Sequence, residues 1–225
     1  MTALDPAGDR LRESAAACPP ESAGEGLRGV VAPGLPDALF ARGDAPMTKM
    51  EVRALTMAAA RLRSGDRVLD VGAGTGSLSI EAALLCPAGA VVALEREADA
   101  LALVRENVAR FGLDNVSIAA AEAPAAFSGF APRSFDRILV GGSGGNLSAI
   151  LEALPGLLRE GGRVVCNTAC LETTAKVAAA LRRPPWSDFA CSQISVARGV
   201  PAGPLLRFDA LNPVWVTSAG LGAAT

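Results

Sequence analysis

Val68-Leu69-Asp70-Val71-Gly72-Ala73-Gly74-Thr75-Gly76 decides the fold. Arg67–Val71 reads as a short apolar strand and Ser77–Leu85 as a helix running into Pro87, so the three glycines fall in a strand-to-helix turn. Glycines there accept positive φ and let the backbone approach a ligand closely. The free N–H groups and the dipole of the following helix favour a negative group at its start. Asp70 precedes the first glycine, at the carboxyl end of the strand. A carboxylate in that position repels a pyrophosphate but can hold an ammonium group, which points to an amino-acid moiety and not a dinucleotide.

Outward from this loop, strands and helices alternate. Thr48-Lys49-Met50-Glu51 opens a helix, with Thr48 as N-cap and Glu51 closing a capping box. Val52, Leu55, Thr56, Ala59 and Leu62 follow at helical spacing, and Ser64-Gly65-Asp66 stops it. Downstream, Ala90–Leu94 is a second strand, Glu97–Phe111 an amphipathic helix, Val116–Ala120 a third strand and Phe135–Val140 a fourth. Leu147–Leu158 is a helix broken or kinked at Pro155, Arg163–Asn167 a fifth strand, and Thr173–Leu181 a helix stopped by Pro184-Pro185. Two last β-runs, Phe189–Ala197 and Leu211–Thr217, have no long helix between them and predict an antiparallel hairpin at one sheet edge. The whole is a doubly wound, mostly parallel α/β sheet.

Glu95 ends the second strand, where an acidic side chain accepts both hydroxyls of a ribose. The third strand ends in Ala121-Glu122-Ala123-Pro124, where an acceptor and backbone N–H groups read an adenine edge. Ammonium, ribose and adenine sites in that order describe S-adenosylmethionine. The expected architecture is therefore the class I S-adenosylmethionine-dependent methyltransferase (Rossmann-like) fold, with seven strands and a C-terminal antiparallel hairpin.

Composition narrows the chemistry. The chain has 225 residues, a formal net charge of −2, and neither His nor Tyr. Ser-His-Asp and Cys-His catalysis are excluded, as are His-containing zinc sites. A slightly acidic chain with 4% aromatic residues offers neither bulk attraction nor stacking platforms for nucleic acid. Cys18, Cys86, Cys166, Cys170 and Cys191 are an odd, scattered set, which fits a reduced, cytoplasmic compartment. Cys166-Asn167-Thr168-Ala169-Cys170 begins like an iron–sulfur triplet but has Thr173 where the third cysteine would stand, so no metal site is assigned. No apolar run is long enough to span a membrane.

Enzymes that methylate exocyclic base amines carry Asn/Asp-Pro-Pro-aromatic after the fourth strand. Here that place holds Val140-Gly141-Gly142-Ser143-Gly144-Gly145-Asn146-Leu147, which makes room for something bulky and offers backbone donors. The similar string Asn212-Pro213-Val214-Trp215 falls in the last strand, far from that role.

From about Gly34 to Ser218 the chain resembles the decarboxylating precorrin methyltransferases of cobalamin biosynthesis, which methylate carbon 15 of the macrocycle. The resemblance rests on Gly34-Leu35-Pro36-Asp37 with Phe40, Pro46-Met47-Thr48-Lys49, the Asp70–Gly76 loop and Glu122-Ala123-Pro124. It continues through Gly141-Gly142-Ser143-Gly144-Gly145, Leu171-Glu172-Thr173, Val196-Ala197-Arg198-Gly199 and Asn212-Pro213-Val214. It implies that Thr48, Gly72, Ala73, Gly74, Thr75, Gly76 and Gly141 contact the cofactor, that Glu95 binds its ribose, and that Glu122 and Ala123 flank its adenine. The family often has Asp at Glu95 and Glu122, and Gly at Ala121. Thr48 also has a structural reading as the helix N-cap.

The implied substrate is a precorrin bearing acetate and propionate arms, which Arg and Lys bind well. Arg198 and Lys49 are the candidates for those arms. Ser143, Asn146, Asn167 and Glu172 follow the fourth and fifth strands, at the ligand-binding edge. No catalytic side chain is assigned, because an electron-rich tetrapyrrole carbon needs little general-base help and the macrocycle accepts the electrons left by carbon dioxide. The resemblance further implies a homotetramer, and the terminal hairpin offers the edge for it. Residues 1–33, rich in Ala, Pro, Gly and Ser, read as a flexible segment before a domain at 34–225. That segment is either a tether to a carbon-5 methyltransferase domain or the leader of a stand-alone protein. Other methyl acceptors (isoaspartyl protein or RNA) and a non-catalytic binding domain are the competing readings.

Overall fold

The computed structural model describes residues 33–222; the 1–32 part of the expected leader lies outside the described residues. Among the described residues there are two 3-10 turns, at Asp37–Leu39 and Ala125–Gly129, five α-helices and nine strands. In chain order they are α1 (Met50–Ala60), β1 (Arg67–Val71), α2 (Ser77–Leu85), β2 (Ala90–Glu95), α3 (Ala98–Arg110), β3 (Val116–Ala120), β4 (Phe135–Val140) and α4 (Leu147–Leu157). They continue with β5 (Leu158–Thr168), α5 (Leu171–Leu181), β6 (Trp186–Ile194), β7 (Ala197–Ala202), β8 (Leu205–Ala210) and β9 (Val214–Leu221).

Seven strands form one sheet in the order β3-β2-β1-β4-β5-β9-β6. The first five are parallel; β9 enters antiparallel between β5 and β6. This is the expected mostly parallel sheet with an antiparallel terminal pair. The link between β6 and β9 is a difference: β7 and β8 form a separate two-stranded ribbon there, paired from Ala197↔Ala210 to Ala202↔Leu205. The sequence predicts only a loop in this stretch, which contains Pro201, Gly203 and Pro204. In a two-stranded ribbon a proline N can face outward, and Gly203 adopts φ +61° near the turn.

Alternate residues of each strand serve opposite faces. Leu69, Val71, Ile138 and Val140 pack under α4 and α5 with Ile150, Leu154, Val177 and Leu181. Val68, Val91, Leu139 and Val165 pack against Val52, Met57, Leu78 and Ala82 of α1 and α2. α3 lies beside α2, where Asn107 Nδ2 donates to the Thr75 carbonyl at 2.9 Å. α4 does not break: it continues through Pro155, in its last turn, and passes directly into β5.

The start of α1 departs from expectation. Thr48 is not its N-cap; Lys49 holds that position and no capping side-chain bond comes from it. Instead Asp37, thirteen residues upstream, accepts the Met50 N–H at 2.9 Å. Nor does Glu51 close a box, because its carboxylate faces Arg198. The helix ends at Ala60, before Ser64-Gly65-Asp66, with Arg61 in the left-handed region at φ +52°.

The Asp37 turn is held by a buried ionic network. Arg53, fully buried, donates from Nε to Glu81 Oε1 at 2.6 Å and from Nη1 to Asp37 Oδ1 at 2.8 Å. It also bonds the carbonyls of Thr48 and Leu35 and stacks on Phe40, 4.6 Å from the ring centroid. Glu81 in turn accepts the N–H groups of Gly34 and Leu35 at 2.8 and 2.9 Å. A charge removed from water is tolerated only when its partners satisfy it this fully.

Candidate active site

Parallel pairing places the carboxyl ends of β1 to β5 along one edge, with Val71 level with Leu94 and Val140, and Glu95 with Ala120. The loops leaving that edge line one cleft of about 770 Å³. Its other walls are Pro46–Lys49 with Val52, and the base of the β7–β8 ribbon at Val196, Ala210, Leu211 and Asn212.

The glycine loop lies tight against its neighbour. A Cβ on Gly72 (φ +72°) would sit 2.6 Å from the Gly142 carbonyl oxygen. Gly72 and Ala73 donate to the Leu94 carbonyl, and Gly141 donates to that of Val71 at 3.0 Å. Bare backbone therefore forms the floor of the cleft at the meeting point of two loops. Gly76 starts α2 in the left-handed region at φ +77°, its missing Cβ leaving room for Val104.

Asp70 is fully buried directly before this loop. Ser79 Oγ donates to its Oδ2 at 2.6 Å, while Oδ1 has no partner among the described residues. Burial, with the charge of Glu95 adding to it against the Ser79 bond, pushes this carboxyl up to about 6. A carboxylate so placed has no cation among the described residues; fully buried, it lies beneath the glycine loop and does not itself line the cleft. Glu95 lines the cleft, with Oε2 accepting the Gly74 N–H and Oε1 those of Arg96 and Glu97. These bonds fix its orientation and leave it lone pairs for further donors.

Thr48, Lys49, Gly72, Ala73, Gly74, Glu95, Glu122, Ala123, Gly141, Ser143 and Asn167 all line this one cleft. Thr75 is buried beneath the loop and Asn146 sits at the start of α4, where its amide bonds Glu122 Oε1 and the Ala123 carbonyl. Neither lines the cleft. Glu172 is exposed in the first turn of α5.

Arg198 differs from expectation. Its guanidinium binds Glu51 through Nε and Nη2 at 3.1 and 2.7 Å, and Nη2 also reaches Asp37 Oδ2 at 2.9 Å. Engaged with two carboxylates of its own chain, it is not presented to a carboxylate of a ligand.

Sequence reasoning passed over three elements of the cleft. Arg96 bridges Glu97 and Glu122 across its rim. Asn212, read as part of the last strand, precedes β9 and lines the opening. Leu211 closes the ribbon base by donating to the Val196 carbonyl at 2.8 Å. Only the Asn212-Pro213-Val214 string carried a signal, and its place in the fold hid it. Cys166 is buried below the cleft floor, and burial pushes its thiol up to about 12, so it stays a neutral packing residue.

Residues 38–219 match the precorrin methyltransferase domain family. A probable cobalt-precorrin-6B C(15)-methyltransferase (decarboxylating) of Saccharolobus solfataricus is 36% identical over 191 residues, covering 84% of this chain and 96% of the relative. The cobalt-precorrin-6B C(15)-methyltransferase (decarboxylating) of Salmonella typhimurium is 40% identical over 181 residues, 80% of this chain and 92% of the relative. The crystal structure of precorrin-6y C5,15-methyltransferase from Geobacter metallireducens superposes with a TM-score of 0.79 at 34% identity, over 85% of this chain and 98% of the other. The sheet is that of class I S-adenosylmethionine-dependent methyltransferases. The chain belongs to the precorrin methyltransferase domain family.

Proposed function

We propose that this protein transfers a methyl group from S-adenosylmethionine to carbon 15 of a precorrin and decarboxylates the ring C acetate. The observation that carries the reading is the two-ended cleft. At one end the glycine loop, Glu95 and Glu122 meet over the buried Asp70. At the other, the wide Gly141–Gly144 loop faces Lys49, Asn167 and Asn212. A donor and a flat macrocycle can therefore lie side by side, which is what proximity catalysis requires.

S-adenosylmethionine, when bound, supplies an electrophilic methyl. Asp70 meets the ammonium, Glu95 accepts the ribose hydroxyls, and Glu122 with Ala123 borders the adenine. Thr48 and Gly141 close on the cofactor from opposite walls. Lys49 takes a carboxylate arm of the precorrin, with Ser143 and Asn167 as neutral partners. The role first expected of Arg198 passes to Lys49, the cleft's cation outside the Arg96 bridge. Incubation with S-adenosylmethionine and the C-5-methylated precorrin, followed by mass spectrometry, tests the reaction. Gain of one methyl with loss of carbon dioxide is expected. Cofactor binding with no change in the precorrin would overturn it.

The Asp70 assignment predicts a pH dependence. The bound ammonium favours the ionised carboxylate, so affinity should be flat above the free protein's pKa of about 6. Below it the dissociation constant should rise by up to about tenfold per pH unit. Asp70→Asn should weaken binding and remove this dependence. Calorimetric titration between pH 5 and 8 decides it; a flat wild-type profile would sink the assignment.

A cytoplasmic homotetramer remains part of the proposal. The exposed Leu205, Leu206 and Phe208 of the ribbon support association. No helix among the described residues is long and apolar enough to cross a membrane. The domain is taken as 34–225, with the preceding segment as tether or leader.

A further inference from the structure

The β7–β8 ribbon projects from the body with nearly every residue exposed or half-buried. Its base nevertheless supplies Val196, Ala210, Leu211 and Asn212 to the wall of the cleft. A projecting ribbon joined to the sheet by short links needs something to fix its angle. Among the described residues, Arg198 makes the side-chain hydrogen bonds from the ribbon to the body, while Arg207 pairs with Asp209 inside the ribbon itself.

The place where Arg198 lands is specific. Glu51 is in the first turn of α1, two residues after Lys49, and Asp37 caps that same turn through the Met50 N–H. The three contacts, at 2.7, 2.9 and 3.1 Å, use the planar fork of the guanidinium on two carboxylates at once. Asp37 is itself buried and anchored by Arg53, so the ribbon is tied to a point held by a buried ion pair. Thr48 and Lys49, beside this clamp, line the cleft, and so do Val196 and Leu211 of the ribbon base.

We propose that Arg198 is a positioning residue: by clamping the ribbon base to the first turn of α1, it sets the width of the precorrin end of the cleft without touching the precorrin. The inference rests on the precorrin reading of that end. The glycine-loop end meets the clamped segment only at Pro46 and Thr48; its other contacts come from the loops after β1, β2 and β4.

The test compares Arg198→Ala, Arg198→Lys, Glu51→Gln and the double variant Arg198→Ala/Glu51→Gln, all with oligomeric state verified. Arg198→Ala should raise KM for the precorrin on the order of tenfold, because small misplacements of a binding wall are costly. The dissociation constant for S-adenosylmethionine should change far less, by no more than about twofold, because only Thr48 among the cofactor contacts lies in the clamped segment. Arg198→Lys, keeping the charge but not the fork, should recover part of the loss. Glu51→Gln should act in the same direction as Arg198→Ala, and the double variant should be no worse than Arg198→Ala alone.

If Arg198 instead gripped a precorrin carboxylate, Glu51→Gln would free it and KM would fall or stay level; that result overturns the clamp. Hydrogen exchange reads the clamp without any substrate. Arg198→Ala should speed exchange across residues 196–212 and 47–51 while α2 and β1 keep their protection. Uniformly faster exchange, or none, overturns the inference. Faster exchange confined to those segments in a protein that does not methylate precorrin would keep the clamp and reject the substrate.

Discussion

Arg53→Leu is expected to destabilise the protein by about 3–5 kcal/mol, the usual cost of stranding the partners of a buried charge. The thermal midpoint should fall by roughly 10 °C for a domain of this size. Three features make this position exceptional. The side chain is fully buried, so water cannot replace what is lost. Its removal leaves the buried Glu81 without its cation and takes from the buried Asp37 one of its two, with Arg198 remaining. It also withdraws donors from the carbonyls of Leu35 and Thr48 and the cation above Phe40. Burial pushes Asp37 up, but the hydrogen bonds and charges of Arg53 and Arg198 outweigh it and hold the carboxyl below its usual range. Without Arg53 that balance tips toward protonation, and the cap of α1 weakens with it. Denaturant unfolding measures the loss; a change under about 1 kcal/mol would show that the network contributes orientation and little stability.

Gly72→Ala is expected to impair both ends of the cleft together. The new methyl would stand 2.6–2.7 Å from the N, Cα and carbonyl oxygen of Gly142, and all three are backbone atoms that no rotamer change can move. The φ of +72° adds strain of its own. Overpacking and a left-handed non-glycine residue together cost about 2–4 kcal/mol. The Gly72 side cannot yield easily, since the N–H groups of Gly72 and Ala73 are both tied to the Leu94 carbonyl. The loop that moves is therefore 141–145, at the expense of the Gly141 bond to Val71. That loop borders donor and acceptor alike. Cofactor affinity and kcat/KM should fall in parallel, the latter by about 100-fold, because both depend on ångström-scale alignment. Gly65→Ala, where a Cβ meets nothing within 4 Å, is the matched control and should leave both unchanged. Wild-type turnover in Gly72→Ala would refute the close contact as a functional feature.

The strands around the site were readable because of where they lie. β1, β3 and β4 are parallel strands with helices against the sheet, so they appear as short apolar runs ended by glycine, proline or charge, and their bounds agree with the sequence reading. The same logic located α2 between Gly76 and Pro87. The terminal pair was readable in kind but not in position: β6 and β9 each lie about three residues from the expected runs. β6 is the sheet edge and is mostly exposed, so its pattern is weak. The β7–β8 ribbon is exposed on nearly all sides, and without a buried face there is no alternation to detect.

The sequence alone carried the local chemistry: the glycines that must bend the chain, the acidic residues that end β1 and β2, and the wide loop after β4. Each of those depends on neighbours a few residues away. The tertiary structure decided which polar groups are already spent. Thr48-Lys49-Met50-Glu51 is a sound capping box by spacing, yet Asp37 caps the helix because the Arg53 network holds it there. Arg198 has the chemistry to bind a substrate carboxylate, yet Glu51 and Asp37, 147 and 161 residues away along the chain, take it first. An ion pair forms between whichever charges the fold brings within about 4 Å, and that distance is set by packing across the whole domain.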